Sequence, residues 1–169
     1  MFIHFLNFEF KHWLRRPAFY IFSVAVVVCA FLISSGDRVQ IGTRLDTVNH
    51  NAPFAIQSMY ADFSLVCVLL VTTFVSAAAI RDFTFRTDEL IFTRPIRKFD
   101  YLLGRFCGAT LLSLVPLLGI SIGILLASIS PGDAADRFGQ TSWSAHVLGF
   151  VLFAVPNTLF IASIIFALS

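Results

Sequence analysis

Four long apolar segments leave this chain few ways to fold. They cover residues 18–34, 59–80, 106–129 and 145–168. Each suits a helix crossing a bilayer, whose hydrocarbon core of roughly 30 Å takes about 20 helical residues. Lipid offers no water to satisfy backbone groups, so only helices or closed barrels can span it. Barrel strands alternate polar and apolar residues over roughly 10 positions, and none of the four segments does. The expected fold is therefore an all-α integral membrane protein with four transmembrane helices. Composition agrees: 57% of the 169 residues are hydrophobic and only 13% are charged, too few to cover the surface of a soluble domain. A net charge of +2, with no basic run outside the membrane flanks, gives nucleic acid nothing to hold. Cys29, Cys67 and Cys107 are odd in number and lie in apolar runs. They read as small buried hydrophobes rather than a disulfide or zinc framework.

Orientation follows from the short flanks, because Lys and Arg are retained on the cytoplasmic side. Lys11, Arg15 and Arg16 precede the first span. Arg81, Arg86, Arg94, Arg97, Lys98 and Arg105 occupy the connection between the second and third. Only Arg38, Arg44 and Arg137 lie in the other two connections. The expected topology is N-in/C-in, with residues 81–105 in the cytoplasm. Apolar residues become continuous only at Ala18, so the start does not read as a cleaved signal peptide. The fourth span ends at the chain terminus without a basic anchor, which leads us to expect an N-terminal piece of a longer protein.

Residues 1–16 have helical periodicity. Phe2, Ile3, Leu6, Phe10, Trp13 and Leu14 share one face of a wheel, while His4, Asn7, Lys11 and Arg15 lie opposite. This suits an amphipathic interfacial helix, although Phe5 and Phe8 interrupt the polar face. Pro17 then turns the chain into the membrane. The segment reads equally as a simple anchor or as the elbow helix of a transporter.

The connection 81–105 holds half of the 12 basic residues. Thr87 can cap a helix, with Asp88 and Glu89 in the first turn where carboxylates favour the dipole. Leu90, Ile91, Phe92 and Thr93 follow, and Pro95 stops the helix. Topology accounts for the cations but not for a short helix bearing an apolar patch, which reads as a docking element. The order Arg81-Asp82, then Thr87-Asp88-Glu89-Leu90-Ile91-Phe92-Thr93-Arg94-Pro95, then Tyr101-Leu102-Leu103-Gly104-Arg105 resembles the first cytoplasmic loop of ABC-2 type transporter permeases. "FEFKHWLRRPAFYIF" (residues 8–22) resembles the elbow helix and first span of that family. "RRPAFYIF", "NAPFAI" and "YLLGRF" are similar to a narrower group, large bacterial permeases fused to an M1-type aminopeptidase-like domain.

The resemblance implies a permease of the bacterial cytoplasmic (inner) membrane, working by alternating access with an ABC ATPase subunit on the cytoplasmic side. It implies further transmembrane helices or a second permease half as well. Thr87, Asp88, Glu89, Leu90, Ile91, Phe92 and Thr93 would form the coupling helix, and Arg81, Arg94 and Arg97 its flanking contacts. ATP and Mg would be bound by the partner: this chain contains no G-x-x-x-x-G-K-[ST] and binds no cofactor or metal of its own on this reading. It also contains no H-E-x-x-H and no nucleophile–base pair, so we expect no enzyme activity within it.

Asp62, inside the second apolar segment, is a functional-site candidate because a carboxylate in lipid is costly; contact with interfacial water is the plainer reading. Pro116 and Pro156 each remove a helical hydrogen bond, and Asn157 could satisfy a freed carbonyl or bond across to another helix. These four are candidates for a translocation path. Gly104/Gly108 and Gly119/Gly123 permit close helix packing without identifying a partner. His50 reads as a solvated loop histidine. The competing function is a small four-span structural or assembly protein whose cytoplasmic loop binds a regulator.

Overall fold

A computed structural model describes residues 2–35, 52–84, 98–129 and 138–168. Among them the chain is all-helical: α1 (Phe2–Leu14), α2 (Pro17–Ser35), α3 (Pro53–Asp62), α4 (Ser64–Thr84), α5 (Lys98–Ile129), α6 (Trp143–Gly149) and α7 (Val155–Leu168). A π-helical turn, Phe150–Ala154, joins α6 to α7. Four helical stretches are long and apolar enough to cross a membrane: Pro17–Ser35, Ser64–Arg81, Phe99–Ile129 and Trp143–Leu168.

α5 is the central element. Half of its apolar stretch is buried by protein, against 22% for α2 and 17% for the last span. Its 32 residues extend ~48 Å, well beyond a hydrocarbon core of ~30 Å. The helix begins at Lys98, earlier than the 106 expected, with Asp100 in its first turn. α4 runs to Thr84, so both ends of the 81–105 connection are helical. Residues 85–97, including Thr87 to Thr93, Arg94 and Arg97, lie outside the described residues.

Both glycine pairs are used, each with a different partner. A Cβ at Gly104 would stand 2.7 Å from the Phe5 Cβ, and one at Gly108 2.8 Å from the Glu9 Cβ, so the first pair seats α1. A Cβ at Gly119 would meet Val27 at 2.8 Å and one at Gly123 would meet Ala30 at 2.6 Å, so the second pair seats α2. Residue numbers rise together along these contacts, so α1 and α2 both run parallel to α5. α1 thus turns Phe5, Leu6 and Glu9 toward protein, while Ile3 and Leu14, placed on the apolar face of the wheel, are exposed. The contact face is rotated because α1 follows the groove opened by Gly104 and Gly108, which has room for Glu9. Phe74 of α4 is the aromatic hub beside it. Its ring meets Trp13 edge-on at 4.6 Å and lies 5.9 Å from Phe22 and 6.1 Å from Phe19.

The second apolar segment is two helices rather than one. α3 starts at Pro53 after an extended Ala52, a position where the missing proline N–H costs nothing. Residues 53–58, which precede the expected span, are therefore helical. Phe63 has ψ −7°, far from the helical value of about −42°, and the axis bends there. Asn157 of α7 donates to the Ser64 carbonyl at 3.3 Å, the kind of side-chain intrusion into a helical ladder that accompanies bends. In the last span the irregularity has a covalent cause. Pro156 has no N–H for the Leu152 carbonyl, and the preceding turn widens so that the Val155 N–H reaches the Phe150 carbonyl.

Candidate functional site

Among the described residues, the strongest concentration of buried charge lies where α1, α4 and α5 meet. Glu9 is fully buried, and Arg81 and Arg105 are buried around it. Arg81 Nη2 forms a hydrogen-bonded ion pair with Glu9 Oε1, and Arg105 Nη1 lies 3.4 Å from the same oxygen. One carboxylate thus faces two guanidinium groups. The second cation is partly satisfied elsewhere, since Arg105 Nη1 also donates to the Ala78 carbonyl at 2.8 Å. Rings complete the enclosure: the Arg81 guanidinium lies 5.2 Å from the Phe8 centroid and that of Arg105 lies 5.1 Å from Tyr101. Arginine suits such a place because its planar, weakly hydrated cation pairs with both a carboxylate and a ring face.

The cluster has an electrostatic reach. His12, one turn after Phe8, stacks on that ring at 6.1 Å. Its imidazole is held below the ordinary range, first by partial burial and then by the fields of Arg81, Arg16 and Arg105. Arg16 in turn lies 5.5 Å from the Trp13 ring. This end of the bundle therefore combines cations and aromatic faces around the buried Glu9.

Arg81, expected among the flanking contacts of a docking helix, is turned inward onto Glu9. Glu9 itself was not anticipated. The sequence did carry a signal: it is the sole acidic residue before Asp37, and it sits at helical spacing from Phe2, Leu6 and Trp13. An acid on such a face points to a buried partner.

Near the other end of α5 lies a second polar cluster. The Tyr60 hydroxyl and Ser121 Oγ are 2.7 Å apart, and Ser121 Oγ lies 3.0 Å from His146 Nδ1. The three come from α3, α5 and α6, with Tyr60 and His146 buried. Gly149 makes room for the Tyr60 ring, since a Cβ there would be 2.6 Å from it. Ser121→Ala should cost about 1–3 kcal/mol, because two buried groups lose their shared partner. Thermal midpoints in detergent would check this, with Ser121→Thr retaining most of the stability.

The four path candidates are carried by three elements, α3, α5 and α7. Asp62 is at the α3–α4 bend, half-buried. Pro116 is fully buried inside α5, whereas Pro156 is exposed on the last span. Asn157 bonds across to α4, as described. It is joined one residue on by Thr158, whose hydroxyl lies 3.3 Å from Cys67 Sγ. Asp62 lies two residues before the start of α4, and Asn157 bonds to the first residue of that helix. No protein-family model, no curated protein and no solved structure matches this chain.

Proposed function

We propose that the protein is the transmembrane component of an ATP-driven exporter of the ABC-2 type, with residues 81–105 receiving force from a separate ATPase. What supports this reading is the arrangement around Glu9. A connection that transmits force needs ends that do not yield independently. Arg81 and Arg105 stand at the two ends of this one, and both close on the same carboxylate of α1. Displacing the connection would then load α1, α4 and α5 together. Two ion-pair contacts and two cation–ring contacts resist separation of those helices more stiffly than apolar packing, which slides at little cost in lipid.

On this reading the N-terminus and the 81–105 connection face the cytoplasm, following the excess of Lys and Arg there. α1 lies at that membrane interface with Lys11 exposed. The site is the bacterial cytoplasmic membrane. The residues from Thr87 to Thr93 dock the ATPase, and the ATP and Mg belong to that partner. The present chain supplies the clamp and part of the membrane path, completed by further helices or a second half.

Purification of the protein from native membranes tests this. We expect an ATPase carrying a G-x-x-x-x-G-K-[ST] loop to accompany the wild type. Leu90→Asp and Ile91→Asp should lose it while still inserting into the membrane. Equal recovery with those variants, or none with the wild type, would favour an assembly protein that moves no substrate.

A further inference from the structure

A groove of about 260 Å³ runs between α2 and the bent pair α3–α4. Phe22 and Leu70 line one end and Ile33 and Met59 the other. From residue 22 to residue 33 it follows α2 for ~16 Å. Its wall is almost wholly hydrocarbon, and Asp62 is the sole charged residue lining it. Asp62 has no ion pair and no side-chain hydrogen bond among the described residues.

An ionised carboxylate against hydrocarbon is costly unless a cation meets it. We propose that this groove binds a single-chain alkylammonium, its chain laid along α2 and its cationic head on Asp62. The dimensions and the charge select this occupant. A transmembrane helix is ~10 Å across, and one lying along the groove would need several times its volume. A zwitterionic phospholipid would bring its phosphate beside its ammonium, and Asp62 repels that phosphate. A single chain with a lone positive head has neither fault. The site does not depend on the transport reading and would exist equally in a structural protein.

Cys29 lines the groove and is exposed, which supplies a reporter. With Cys67 and Cys107 replaced by Ala, the protein in phosphatidylcholine nanodiscs carries one thiol. Its alkylation by N-ethylmaleimide would be followed by intact mass. Dodecyltrimethylammonium should slow the reaction saturably, and dodecyl sulfate, of equal chain length and opposite charge, should not. Asp62→Asn should raise the half-protecting concentration about tenfold, the factor expected for loss of one charge-assisted contact, and Asp62→Glu should restore protection. Equilibrium dialysis of the same cation, with empty nanodiscs as the blank, should show one saturable site weakened by the same factor. Equal protection by the sulfate, or binding indifferent to Asp62→Asn in dialysis, would overturn the assignment.

Discussion

Glu9→Ala should destabilise the folded protein by about 3–5 kcal/mol, because it strips the counter-charge from two buried guanidinium groups. The cost is not the worth of the ion pair itself. It is the penalty of leaving Arg81 and Arg105 desolvated around an empty place. Denaturation midpoints in detergent would measure it. Glu9→Gln should fall between wild type and Ala, since an amide oxygen can still accept from Arg81 but carries no charge. The converse substitution separates stability from function. Replacing all three residues together, as Glu9→Leu, Arg81→Met and Arg105→Met, removes both charges and their desolvation. Such apolar replacements are often neutral or stabilising by about 1–4 kcal/mol. The triple variant should therefore fold near wild-type stability. If the clamp transmits force, it should still recover the ATPase but lose substrate-stimulated hydrolysis. Unimpaired coupling in a stable triple variant would show that the cluster serves folding alone.

Gly123→Ala should be far more damaging than Gly119→Ala, although both belong to one small-residue motif. At Gly123 a new Cβ would lie 2.6 Å from the Ala30 Cβ, 2.7 Å from the Val27 carbonyl oxygen and 2.9 Å from the Phe31 nitrogen. Two of these are backbone atoms of α2, which can move only if the whole helix moves. Overpacking of this kind costs typically about 1–3 kcal/mol and sometimes more, and Gly123→Leu should prevent α2 from seating at all. At Gly119 the near atom is the Val27 Cγ2, at 2.8 Å, and the closest backbone atom is 3.5 Å away. A rotation of Val27 out of its preferred helical rotamer relieves the contact, and the better helix propensity of Ala, about 1 kcal/mol, offsets that cost. Gly119→Ala should therefore change the midpoint little. Matching losses at the two positions would contradict the parallel α2–α5 packing described here.

Much of the architecture was legible in residues alone. The four spans follow from apolar run length, because lipid selects helices and sets their minimum size. Pro17 separates α1 from α2, and Pro156 lies beside a widened turn, since a proline takes a donor out of the ladder wherever it stands. The glycine pairs announced close packing. Local chemistry decides all of these, so a linear reading can reach them. The bend at Phe63 was not legible in the same way. No Pro or Gly occupies positions 62–64, and the intruding donor, Asn157, comes from a helix distant in sequence.

The partners of those surfaces were decided only by the tertiary structure. Nothing near Gly104 says that it faces Phe5, or near Gly123 that it faces Ala30. In lipid the apolar faces of helices are nearly equivalent to one another and to the acyl chains. Hydropathy therefore fixes what crosses the membrane but not which face meets which. Shape and polar contacts choose, and both are long-range properties. The meeting of Glu9 with Arg81 and Arg105 is the clearest instance. Charge counting read the two arginines as markers of the cytoplasmic side. Once α1 is seated on Gly108, they become the inward-facing partners of a buried acid. Run length and charge spacing alone set four helices long and apolar enough to cross a membrane and the places where the cations gather. Only the packing of α1 against α4 and α5 decided that two of those cations would be spent on holding three helices together.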